Sequence, residues 1–143
     1  MAWVIDTCVV SDIWTGDALF AESSALCLNH YQRDGLILCP ISYIELGPIF
    51  RGSQSSQEEF LSRRRIDFST GWTTSDTNIA HQMWHDYTTR RRAGLPHKRP
   101  IADGLIAAFA ARFQGLITRN VDDFRKVAPN LSLVDASAFK PAA

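Results

Sequence analysis

The chain has 143 residues, 45% of them hydrophobic and 21% charged, a balance that suits one soluble globular domain and excludes a disordered or low-complexity chain. Its formal net charge is zero, so no long-range positive field draws the whole molecule to nucleic acid, and any polyanion must be met by local clusters. The three cysteines, Cys8, Cys27 and Cys39, are widely spaced with no CxxC pair, which excludes a disulfide framework or zinc knuckle and points to a reducing cytoplasm.

Residues 3–5, Trp-Val-Ile, read as a first short buried strand, after which Asp6 interrupts an apolar run that Val9 and Val10 resume. A helix pattern covers roughly 17–33, and a second strand follows at 36–39. The next helix, 40–47, opens on Pro40, where a missing N–H is harmless, and stops at Gly47-Pro48. An exposed amphipathic helix at 54–64, a strand at 66–68 and a long helix at 75–93 lead to the clearest loop, Gly94 to Pro100. A uniformly apolar helix at 101–113, a strand at 115–118, a short helix after 120 and a strand at 131–134 complete the pattern. Strands alternating with helices imply right-handed crossovers and a mostly parallel sheet covered on both faces. Asp6, Asp12 and Asp17 break every apolar stretch near the N-terminus, so neither a signal peptide nor a membrane span is expected.

Four acids border apolar patterns: Asp6, Glu45, Asp103 and one of the pair Asp122 and Asp123. Each has an ordinary structural explanation. Asp103, Asp122 and Asp123 fall in first helical turns, where the helix dipole favours a carboxylate; Asn120 is a candidate N-cap, Asp6 a candidate turn residue, and Glu45 can face solvent. Their common feature is position, since in open parallel sheets ligands gather beyond the carboxyl ends of the strands. Several acids at that edge repel one another unless a cation sits among them. Mg²⁺ or Mn²⁺ suits oxygen ligands and a substrate phosphate, and the chemistry then suggested is phosphodiester hydrolysis.

The stretches VIDTCVVSDI, YIEL, RPIADGLIAAFAA and GLITRNVDDF resemble the successive motifs of PIN-domain ribonucleases, particularly the VapC-type toxins of type II toxin–antitoxin systems. The likeness spans residues 3 to about 134, and its last two blocks are the most specific. It implies a three-layer α/β/α PIN-like sandwich with a central, mostly parallel sheet of about five strands, formed by residues 1–143 as a single domain. It also implies an acidic pocket of Asp6, Glu45, Asp103 and Asp123 that holds Mg²⁺ or Mn²⁺, with Asp122 as the second choice for the last position. Thr118 and Asn120 would line the pocket, Thr118 by hydrogen-bonding a carboxylate and Asn120 as an oxygen ligand or positioning group, while Ser11 would help to fix Asp6. A metal-activated water would attack an RNA phosphate. A VapB-like antitoxin and a second copy of the chain are the implied partners, with the helices near 54–64 and 75–93 as candidate interfaces. One departure is plain: the family usually has Asn where this chain has Cys8, and a thiol is the poorer donor.

Three basic clusters, Arg63-Arg64-Arg65, Arg90-Arg91-Arg92 and His97-Lys98-Arg99, would contact the RNA backbone beside the acids. His81 and His85 stand four apart as in a zinc-hydrolase motif, but Gln82 occupies the place of the necessary Glu base. Gly-rich phosphate loops and a G-x-S-x-G elbow are absent, so neither a nucleotide cofactor nor a nucleophilic serine is expected. The rival readings are a PIN-like nuclease that processes RNA or cuts DNA, and a non-catalytic module whose acids bind a basic partner segment.

Overall fold

The protein is described from a computed structural model, in which the described residues are 1–90 and 101–140. Strands β1 (Trp3–Ile5), β2 (Leu36–Leu38), β3 (Ile66–Asp67), β4 (Gly115–Thr118) and β5 (Leu133–Asp135) form one sheet in the order β3-β2-β1-β4-β5, with every pairing parallel. The described helices are α1 (Thr7–Thr15), α2 (Ala21–Tyr31), α3 (Pro40–Glu45), α4 (Gln54–Arg63), α5 (Thr74–Arg90), α6 (Ile101–Ala110) and α7 (Val121–Val127). None of them is long and apolar enough to cross a membrane.

Period-two alternation sorts the strand side chains onto two faces. Ile5, Leu36, Leu38 and Ile117 pack with Val9, Val10, Cys27, Leu28 and Leu61, so α1, α2 and α4 cover one face. Val4, Ile37 and Leu116 pack with Ile106, Phe109, Ala110 and Phe124, so α6 and α7 lie on the other. The result is the three-layer α/β/α sandwich. Its strands read as continuous apolar runs because both faces are buried.

The main difference from the expected elements is α1. Residues 7–15 contain β-branched Val9, Val10 and Ile13, which invite a strand reading, yet Asp6 caps a helix there by accepting a hydrogen bond from Thr7 N, and Gly16 ends it at φ 66°. The helix expected from 17 begins at Ala21, because Asp17 Oδ1 accepts from the amides of Leu19 and Phe20 and holds a turn before it. The remaining elements fall within a few residues of the expected ranges. The continuation of α5 to 93 and the loop at 94–100 lie outside the described residues.

Direction matters most for the site. All five carboxyl ends share one edge of the sheet. Successive strands run outward from β1 to β2 and β3, whereas β4 and β5 lie on its other side, so the order reverses between β1 and β4. A crevice opens where adjacent connections leave in opposite directions. Helix α6 feeds β4 from the amino edge, where Gln114 N donates to Ala2 O at 2.9 Å, so its first turn lies back towards the carboxyl edge.

Candidate functional site

Asp6 stands at the switch point. Its backbone N–H still donates to Ile117 O at 2.9 Å, which extends the β1–β4 pairing by one residue, and its side chain is only 5% exposed. Three donors meet the carboxylate: Thr7 N reaches Oδ1 at 2.8 Å, while Thr118 Oγ1 at 2.7 Å and Cys8 Sγ at 3.2 Å both reach Oδ2. Thr118 is fully buried at the end of β4, and its hydroxyl accepts the Asn120 backbone N–H at 2.9 Å. Burial pushes the Asp6 carboxyl above its ordinary value; the bonds from Thr118, Cys8 and Thr7 pull the other way, and the charge of Glu45 adds to the rise. The three donors therefore hold a carboxylate in a place that disfavours it.

Glu45 ends the short α3 and is exposed. Thr7 joins it to Asp6: the Thr7 amide binds Asp6, and its hydroxyl donates to Glu45 Oε1 at 2.6 Å. The six-residue α3 is too short to hold itself. Buried Gln57 of α4 donates to Tyr43 O at 2.9 Å, and Tyr43 donates its hydroxyl to Glu58 at 2.6 Å, which ties α3 to α4. Asp103 is half-buried in the first turn of α6, on the side of the carboxyl edge.

The other expected residues are placed less centrally. Asp122 and Asp123 are both exposed in the first turn of α7 and, with Arg119, Asn120, Arg125 and Asp135, line a cleft of about 480 Å³. Neither hydrogen-bonds with the residues that hold Asp6. Asn120 occupies the N-cap position of α7 without a side-chain cap bond; its contact with the network is the backbone N–H on Thr118. Ser11 makes no side-chain bond to Asp6, because five residues along α1 carry it about 7.5 Å away at 1.5 Å per residue. Cys8, rather than Ser11, joins Thr118 in holding Asp6.

The donor set suits a hard divalent cation. A carboxylate offers about four lone-pair positions. Oδ2 of Asp6 already accepts two bonds, whereas Oδ1 accepts one, and Glu45 Oε2 accepts none from the described residues. These two oxygens match an ion such as Mg²⁺ that takes one or two carboxylates and keeps several waters. Among the described residues, no three His, Cys, Asp or Glu side chains converge as a ready-made metal cage.

Sequence reasoning missed three participants: Thr7 as the bridge, Cys8 as an actual donor to Asp6, and the ion pair of Asp12 with Arg119. Asp12 is 5% exposed in α1, and Arg119 Nε reaches its Oδ2 at 2.6 Å. A carboxylate among Val9, Val10 and Ile13 was the available signal. Arg63, Arg64 and Arg65 immediately precede β3 and so lie at the amino edge, away from Asp6, which corrects their expected place beside the acids. Arg90 donates to Lys126 O at 2.7 Å; Arg91, Arg92, His97, Lys98 and Arg99 lie outside the described residues. His81 and His85 are exposed on α5, and His81 borders an apolar cleft of about 470 Å³ with Trp72, Trp84, Ile101 and Leu105.

No protein-family model matches the chain, and no curated protein sequence matches it. A solved structure does. A chain in the crystal structure of VapBC2 from Rickettsia felis bound to a DNA fragment from their promoter aligns with a TM-score of 0.70 at 20% sequence identity. The alignment covers 94% of this chain and 98% of that chain. At that identity the likeness is one of fold, and it matches the PIN-like α/β/α sandwich.

Proposed function

We propose that this chain is a metal-dependent endoribonuclease, a single PIN-like domain that acts as the toxin of a toxin–antitoxin pair in the cytoplasm. The observation that carries this reading is Asp6. A nearly buried carboxylate at the switch point of a parallel sheet is held by three donors and joined through Thr7 to a second acid. Burying a carboxylate costs stability, and acids kept in such places cluster at functional sites. The fold shared with a VapBC2 chain supports the same reading.

Asp6 and Glu45 would hold Mg²⁺ or Mn²⁺ with their open oxygens, with Asp103 and Asp123 as the remaining acids of the pocket and Asp122 as the alternative to Asp123. When bound, the cation supplies positive charge to a phosphoryl group and acidifies water. Thr7, Cys8 and Thr118 keep the Asp6 carboxylate oriented, and the Asn120 amide keeps the Thr118 hydroxyl turned towards it. A VapB-like antitoxin and a second copy of the chain are the proposed protein partners.

The test is cleavage of a mixed RNA pool with Mg²⁺ or Mn²⁺ by the wild type and by Asp103→Asn. The wild type should cut only with metal, and the variant should lose about 100-fold or more, the scale of an essential group near the reacting phosphate. Equal cleavage by both, or none by the wild type with either metal, sinks the nuclease reading and leaves the interaction module.

A further inference from the structure

We infer that Asp12 and Arg119 are positioning residues, a clamp that sets the orientation of Asp6 by fixing the turn that follows β4. The inference deepens the nuclease reading and rests on it. The contact is a fork: Arg119 Nε donates to Asp12 Oδ2 at 2.6 Å and Nη2 to Oδ1 at 3.3 Å. The guanidinium also stacks over the Phe20 ring, 4.6 Å from its centroid, so its plane is held from a second side. Asp12 is almost wholly buried, while the Arg119 side chain keeps 28% exposure.

Each residue of the turn serves the same network. Thr118 donates its hydroxyl to Asp6, the Arg119 side chain grips Asp12, and the Asn120 N–H donates to Thr118 Oγ1. Asp12 lies six residues along the helix that Asp6 itself caps, about 9 Å from it at 1.5 Å per residue. The contacts therefore close a ring: Asp6 begins α1, α1 carries Asp12, Asp12 grips Arg119, and the residue before Arg119 grips Asp6. Rotation of the turn would break the Thr118 bond to Asp6.

A buried ion pair is a poor device for stability, because apolar residues of like volume usually serve as well or better. Its directional fork is suited to holding a backbone at one angle. Contacts one step removed from a metal ligand typically change affinity or activity about 10- to 100-fold when lost.

The experiment replaces both partners at once in the full chain, Asp12→Leu with Arg119→Met, and compares it with wild type and with Arg119→Lys. Thermal melting, Mn²⁺ binding by titration calorimetry and the kcat and KM for one RNA are measured for each. The expected result is melting close to wild type for the double variant, Mn²⁺ affinity weaker by about tenfold or more, and lower kcat at unchanged KM. Arg119→Lys keeps the charge without the fork and should fall between, which also provides a readout should the double variant fail to fold. Wild-type Mn²⁺ affinity in the variants overturns the clamp and leaves the nuclease reading standing. A raised KM at unchanged kcat also overturns it, since Arg119 would then meet substrate directly. A wild type that binds no Mn²⁺ overturns both.

Discussion

Replacing Thr118 by Val tests whether the Asp6 carboxylate is held by its donors. Valine matches the shape of threonine, so the fully buried site stays filled and the change falls on the hydroxyl's two short hydrogen bonds and its long contact with Cys8 Sγ at 3.9 Å. Loss of the donor to a charged acceptor costs about 1.5–3 kcal/mol, and stranding the half-buried Asn120 N–H adds about 1 kcal/mol. A total of about 2.5–4 kcal/mol follows. At about 2.1 cal/mol/K per residue, unfolding 143 residues carries about 0.3 kcal/mol/K, so the midpoint should fall by about 8–13 °C at neutral pH.

The pH dependence separates this account from general loosening. Burial holds the folded Asp6 pKa above 3.8, so the folded state binds its proton more tightly than the unfolded chain. The stability contributed by Asp6 is therefore greatest below the unfolded value and declines as pH rises through the folded one. Thr118 opposes that decline by stabilising the ionised form. The cost of Thr118→Val should thus shrink as pH falls and Asp6 takes up its proton. Urea denaturation of both proteins from about pH 7.5 down to about pH 4.5 gives the comparison. A cost that is independent of pH, or under about 0.5 kcal/mol throughout, would refute the reasoning.

Gly115→Ala should cost about 3 kcal/mol or more, because a Cβ there would stand 2.3 Å from Ser132 O and 2.8 Å from both Ser132 Cβ and the Trp3 ring; a reduced urea midpoint at unchanged slope is the measurement. All three thiols should resist alkylation in the native protein at pH 8 and react after denaturation. Burial pushes Cys27 up to about 12 and Cys39 up to about 11. Cys8 is also pushed up, first by burial and then by the Asp6 charge, so rapid native labelling at Cys8 would contradict the Cys8–Asp6 contact.

The sequence alone determined the layered architecture and the residue types of the site. Apolar strands alternating with longer amphipathic segments leave few arrangements other than a parallel sheet with both faces covered, and the observed β3-β2-β1-β4-β5 order is one of them. Asp6 was legible for the same reason, as a carboxylate at the end of a buried run. Helix α1 was not, because the β-branched Val9, Val10 and Ile13 satisfy a strand pattern as well as a helical one, and only the caps at Asp6 and Gly16 separate the two.

Tertiary structure decided which side chains meet. Thr118 is 112 residues from Asp6, Arg119 is 107 from Asp12, and Glu45 is 38 from Thr7, so no local periodicity relates any of these pairs. It took the β1–β4 register, with Ile5 opposite Ile117, to bring Thr118 against Asp6. Only the helical form of residues 7–15 puts Ser11 too far along to touch Asp6 and leaves Cys8 near enough. Chain order supplies the chemistry of each group, whereas the direction of every strand and helix decides whether that chemistry is assembled in one place.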